Sequence, residues 1–83
     1  LEVVKQEVKV NPNQLFAQAI SNGFQLVDTT PKVVVKMFKT SQTNYYTAVS
    51  DTKNGVIFNK NNEWFFEYYE NDKLISEKLD IKF

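Results

Sequence analysis

The chain has 83 residues, enough for one small domain, and we expect a single domain over 1–83. Its ten Lys and ten acidic residues give a formal net charge of zero, which argues against a protein that binds duplex DNA. Because His and Cys are absent, disulfides and the usual zinc sites are excluded, and the commonest general base at neutral pH is missing.

No run of about 18 apolar residues occurs, so we expect a soluble protein without a membrane span. The chain begins with Leu1 rather than Met and has no apolar segment of the signal-peptide type, which indicates a mature or excised chain. On this interpretation Leu1 and Glu2 could be a remnant of cloning. Without Cys, the sequence leaves the cellular compartment open.

The N-terminal segment alternates in the manner of a half-buried strand. In EVVKQEVKV (residues 2–10), valines alternate with charged residues, and Val4, Val8 and Val10 share one face. This pattern predicts a strand with one side against the core.

The next segment, NPNQLFAQAISNG (11–23), carries the signals of a helix at both ends. Asn11 suits the N-cap, Pro12 the first helical position, and Gly23 the residue that ends a helix. The apolar residues form one stripe along this predicted helix: Leu15, Phe16, Ala19 and Ile20.

After Pro31 the sequence predicts only strands, at 32–39, 44–50, 56–60, 63–70 and 73–83. Lys53-Asn54-Gly55 is a strong hairpin signal. Two-residue turns are predicted at Asn61-Asn62 and Asn71-Asp72, because Asn tolerates the positive φ of a type I′ turn and opposite charges flank each turn.

These two turns fix a register for the last three strands. Phe58 then lies opposite Phe65, and Trp64 lies opposite Leu79. One face becomes almost wholly apolar and is the predicted core: Ile57, Trp64, Phe66, Tyr68, Ile75, Leu79 and Ile81. Glu77 is the exception on that face. A bulge, a position at the sheet rim or burial against a Lys could account for it, and we expect one of the first two.

The predicted fold is therefore α+β, with an N-terminal strand and one helix packed across a curved antiparallel meander of about four to six strands. This order of elements resembles the cystatin-like arrangement. The Gln-x-Val-x-Gly signature of inhibitory cystatins is missing, because QLVDT (25–29) has Thr29 in place of the glycine.

Paired carboxylates are the only catalytic possibility left by the composition. Glu67 and Glu77 are near one another in the predicted hairpin, but the register places them on opposite faces, so they cannot converge on one bond. Residues 51–55 lack the ligand spacing of a calcium loop. We expect no enzyme activity, no catalytic residues, no metal site and no cofactor.

The outer face of the same strands has an apolar centre with charged residues around it, as protein interfaces do. It predicts a small protein-binding module, an inhibitor or adaptor, whose partner is another protein or a second copy of the chain. The candidate binding residues are Phe58, Phe65, Glu67, Tyr69, Leu74 and Lys78.

Two alternatives to this binding surface remain open. Single-stranded nucleic acid could stack on Phe58, Phe65 and Tyr69, although the acidic residues of the same face would repel phosphate and disfavour it. The face could instead be covered within the monomer, by the N-terminal strand or by a sheet that curls on itself.

Overall fold

A computed structural model describes the backbone of residues 6–83 and the side chains of residues 14–83. The secondary structure of this part is entirely β. Its seven strands are β1 (Gln6–Ile20), β2 (Gly23–Val27), β3 (Val33–Lys39), β4 (Tyr45–Ser50), β5 (Asn54–Lys60), β6 (Glu63–Glu70) and β7 (Lys73–Lys82).

The strands form a closed barrel in which each strand pairs antiparallel with the next, and β1 pairs with β7. Because seven strands alternate in direction, the first and the last run the same way, so the closing pair is parallel. Closure pairs the backbone groups that an open sheet would leave free at its edges.

The prediction of an α+β fold is wrong, and so is the cystatin-like order with a helix across an open sheet. Residues 11–20 belong to β1, where Leu15 is buried and Ala17 packs against the core. The helix-end signals at Asn11 and Gly23 are local, whereas β1 gains backbone pairing with both β2 and β7. The described residues include no helix long and apolar enough to cross a membrane.

Gly23, predicted to end the helix, begins β2 instead. A Cβ at this position would lie 2.1 Å from the carbonyl oxygen of Met37 on β3. The position therefore requires glycine because the neighbouring backbone approaches it closely.

Pro12, predicted to begin the helix, lies where the β1–β7 ladder is interrupted between Val10 and Gln14. Proline has no N–H to donate to a ladder, which accounts for an irregularity at this point. The predicted N-terminal strand is present as β1 from Gln6 onward. The expected faces of Val4, Val8 and Val10 fall outside the described side chains.

The two Asn turns of the meander are confirmed. Asn61, Asn62, Asn71 and Asp72 all have positive φ, between 53° and 65°. The register follows the prediction: Phe58 pairs with Phe65 across β5–β6, and Trp64 pairs with Leu79 across β6–β7.

The hairpin between β4 and β5 exists, but its turn precedes the predicted position. The Ser50 N–H donates to the Lys53 carbonyl oxygen at 2.8 Å, and Asn54 and Gly55 already belong to β5. The Asn-Gly pair therefore extends the strand by two residues and is not the turn itself.

The core fills the barrel and receives side chains from every strand, as expected for a barrel of this size. Five of the predicted core residues are buried: Ile57, Phe66, Tyr68, Ile75 and Leu79. Trp64 and Ile81 are partly buried and pack against them. Aromatic rings gather where β7 ends, with centroids 5.3–6.1 Å apart: Phe24, Tyr46, Trp64 and Phe83.

Glu77 lies on the inner face of β7 without a bulge, because the β6–β7 register is continuous through it. Its half-buried carboxylate lines a cavity at the end of the barrel where β7 begins. The Tyr68 hydroxyl donates to Glu77 Oε2 at 2.5 Å. A buried tyrosine needs such a partner, so the acid meets a requirement of the core.

Candidate functional site

The six predicted binding residues lie on the outside of the barrel, along β5, β6 and β7. Phe58 and Phe65 are opposite one another, with ring centroids 5.9 Å apart, and both are half-buried. Tyr45 of β4 stacks on the other side of Phe58 at 6.2 Å, with the two rings 13° from parallel. Three rings thus cross three neighbouring strands.

Charged residues border this row of rings on the β6–β7 side. Lys78 lies opposite Phe65 and forms an ion pair with Glu63. Glu67 follows Phe65 on the same face of β6. Beyond it, Tyr69 pairs with Leu74 and is 69% exposed.

The outward positions of β4 and β5 carry no charge except at Lys60, the last residue of β5. Ala48 and Ile57 are buried in the core, so the residues that alternate with them face outward. The uncharged outward residues are Tyr45, Thr47, Val49, Asn54, Val56 and Phe58. Tyr45 and Val49 are 39% and 45% exposed. We call the apolar part of the outer face of β4 to β7 the outer patch: Tyr45, Val49, Val56, Phe58, Phe65, Tyr69 and Leu74.

Sequence reasoning missed three members of the outer patch, namely Tyr45, Val49 and Val56. The segment YYTAVS (45–50) gives little signal, because all six of its residues are uncharged and the two faces of the strand look alike. The register of β4 against β5 could not be derived, because Asn54-Gly55 was assigned to the turn. In the structure Tyr45 pairs with Phe58, which places it in the row of rings.

Among the described side chains, the two glutamates considered as a pair, Glu67 and Glu77, do not converge. Glu67 lies on the outer face and Glu77 on the inner face, at the register that the two turns predicted. In the part of the chain that the structure describes, no three acidic side chains come together in a group that could hold a metal ion.

A separate cavity opens at the end of the barrel where β7 begins, among the 28–32 and 51–53 loops. Its volume is about 340 Å³. Asp28 organises one of these loops, since its Oδ1 accepts from Thr30 Oγ1 at 2.5 Å, Thr30 N at 2.9 Å and Lys32 N at 2.8 Å. The Thr30 hydroxyl, followed by the two backbone N–H groups, holds the pKa of Asp28 below its ordinary value of 3.8.

We expect Thr30→Val to raise the pKa of Asp28 toward 3.8, because valine cannot donate the hydrogen bond with the largest effect. A lowered folded pKa means that Asp28 stabilises the fold fully above the unfolded pKa and loses this effect as pH falls through the folded pKa. NMR titration of the side-chain carboxyl measures the midpoint. Thr29→Val is the matched control, and equal midpoints in both variants would contradict the assignment.

The chain matches no protein-family model, no curated protein and no solved structure with which it was compared. Its function is therefore inferred from the chemistry of the described surface.

Proposed function

We propose that the protein is a small non-enzymatic protein-binding module, of the inhibitor or adaptor type, that engages its partner through the outer patch. The observation that carries this proposal is the outward face of β4 and β5, which is uncharged except for Lys60 at the end of β5, with its row of three rings continuing onto β6. Contiguous exposed apolar surface of this kind is typical of protein interaction sites.

The anatomy of the patch supports a protein partner. Aromatic side chains are enriched at the centres of protein interfaces, and charged residues are displaced to the rim. Here Tyr45, Phe58 and Phe65 occupy the centre, while Glu63 and Lys78 pair beside them. Because the rings pack on one another, little conformational entropy remains to be lost when a partner covers them.

The structure also bears on the alternative that the face is covered within the monomer. The core lies on the inner faces of the strands and does not cover the outer patch. Among the described residues, Tyr45, Val49 and Tyr69 remain exposed. These exposed members support a surface that is available to a partner.

We expect Val49→Lys to weaken partner binding at least about tenfold, because the interface would have to bury an unpaired ammonium group. Since Val49 is 45% exposed, the free energy of unfolding should change by only about 0.5 kcal/mol or less. Phe58→Ala should cost about 1–2 kcal/mol of binding energy. The partner is first identified by affinity capture, and its binding to each purified variant is then measured by calorimetry.

Gln18→Lys is the matched control, since Gln18 is exposed on β1, across the barrel from β4 and β5. Equal affinities for V49K, Q18K and the parent would refute the outer patch as the binding surface. If the partner is a second copy, sedimentation should show a dimer in the parent and a monomer in V49K. Binding of labelled single-stranded oligonucleotides with a steep salt dependence would instead favour the nucleic-acid alternative.

A further inference from the structure

The cavity at the N-terminal end of β7 has an apolar floor and a polar wall. Leu15, Phe66 and Leu79 line its floor, and each is at most 6% exposed. Its volume of about 340 Å³ is at the lower end of the range for small-molecule sites, which often lie in the mouths of β-barrels. We call this cavity the mouth.

Two residues that line the mouth, Lys53 and Glu77, flank the buried hydroxyl of Tyr68. Lys53 Nζ lies 3.2 Å from the Tyr68 hydroxyl oxygen and 4.6 Å from the centre of its ring. The same hydroxyl donates to Glu77 Oε2 at 2.5 Å. The Lys53 ammonium has further N–H groups to donate, and the Glu77 carboxylate has further lone pairs to accept. Both residues can therefore still form hydrogen bonds with a ligand.

The mouth carries charges of both signs. Among the described side chains, two positive and three negative residues line it: Lys32, Lys53, Asp28, Asp51 and Glu77. A ligand with a full charge of either sign would meet a like charge nearby, whereas a neutral head group would not.

We propose that the mouth binds a small neutral amphiphile whose head is a primary amide or a hydroxyl group. The apolar body lies on Leu15, Phe66 and Leu79. The head accepts a hydrogen bond from Lys53 Nζ and donates one to the carboxylate of Glu77. This site is on the inner side of the barrel wall and is independent of the outer patch.

The test uses four ligands with a common six-carbon chain, namely hexanamide, hexan-1-ol, hexanoate and hexylammonium. Each is titrated into the isotope-labelled chain, and backbone amide shifts at the mouth, such as those of Val35, Ser50 and Glu77, give the Kd. We expect hexanamide and hexan-1-ol to bind at least about fivefold more tightly than either charged ligand. Absence of saturable shifts at the mouth, or equal binding of all four ligands, would overturn the proposal.

Variants of the two polar partners separate ligand binding from a purely structural role. Lys53→Met and Glu77→Gln should each weaken hexanamide binding about fivefold or more. Lys36→Met and Asp80→Asn, which change exposed residues away from the mouth, should leave the Kd unchanged. If Lys53→Met and Glu77→Gln alter the unfolding midpoint but not the Kd for hexanamide, Lys53 and Glu77 serve only the fold and the proposal fails. Should Glu77→Gln not fold, Lys53→Met alone decides.

Discussion

Replacing Phe66 by alanine is expected to lower the free energy of unfolding by about 3–5 kcal/mol. Phe66 is 5% exposed, pairs with Ile57 across β5–β6, and has its ring 4.9 Å from that of Tyr68. The loss combines the transfer of the ring from water with the cavity that remains in a tightly packed interior. It is comparable with the whole stability of a domain of this size, so F66A could be largely unfolded at room temperature.

Phe65→Ala is the matched control, because it removes the same ring from the adjacent residue of the same strand. Phe65 lies on the outer wall and is half-buried against Phe58, so we expect a loss of about 1 kcal/mol or less. Urea unfolding followed by circular dichroism measures both. Equal losses in F65A and F66A would show that the outer row is also packed as core. Phe66→Leu, which should still fold, gives a graded result if F66A does not.

The contrast between Phe65 and Phe66 also shows what the sequence could predict. Both residues are aromatic, so composition does not distinguish them. The turns at Asn61-Asn62 and Asn71-Asp72 do distinguish them, because each fixes a hairpin register within a few residues. Local turn chemistry, together with the nearly pure apolar composition of one face, was therefore sufficient to place the inner and outer faces of β5, β6 and β7, including most of the candidate site.

The helix at 11–23 was predicted wrongly because its signals fit two structures. Leu15, Phe16, Ala19 and Ile20 suit a helical stripe, but Leu15 and Ala17 equally suit the inner face of a strand. The choice was decided by pairing of β1 with β7, which lies at the other end of the sequence. Contacts between the two ends of a chain leave no local pattern, so barrel closure could not be derived.

The partners of Glu77 inside the barrel could not be predicted from the sequence either. The sequence placed an acid on an apolar face and favoured a bulge or a rim position to account for it. The structure keeps the register and supplies a hydrogen bond from Tyr68, with Lys53 beside that hydroxyl. Lys53 reaches the Tyr68 hydroxyl from the β4–β5 turn, and the predicted position of this turn was wrong.

The second large effect is expected from Gly55→Ala. Glycine in a strand interior is ordinarily unfavourable, so alanine would be expected to stabilise the protein by about 0.5–1 kcal/mol. The structure predicts the opposite sign. A Cβ at Gly55 would lie 2.0 Å from the Glu67 carbonyl oxygen and 3.0 Å from Tyr68 Cβ, so the backbones of β5 and β6 would have to separate.

We expect G55A to lose about 2–3 kcal/mol of unfolding free energy, as overpacked positions do. Asn54→Ala is the control, since Asn54 is exposed and precedes Gly55 in β5; its effect should stay within about 0.5 kcal/mol. Chemical denaturation of both variants gives the comparison, and a G55A protein as stable as the parent would show that β5 and β6 do not approach this closely.

Gly55 pairs with Tyr68, whose hydroxyl contacts Lys53 and Glu77. A forced separation of β5 and β6 should therefore also displace the polar wall of the mouth, and weaker hexanamide binding in G55A would follow from the same cause.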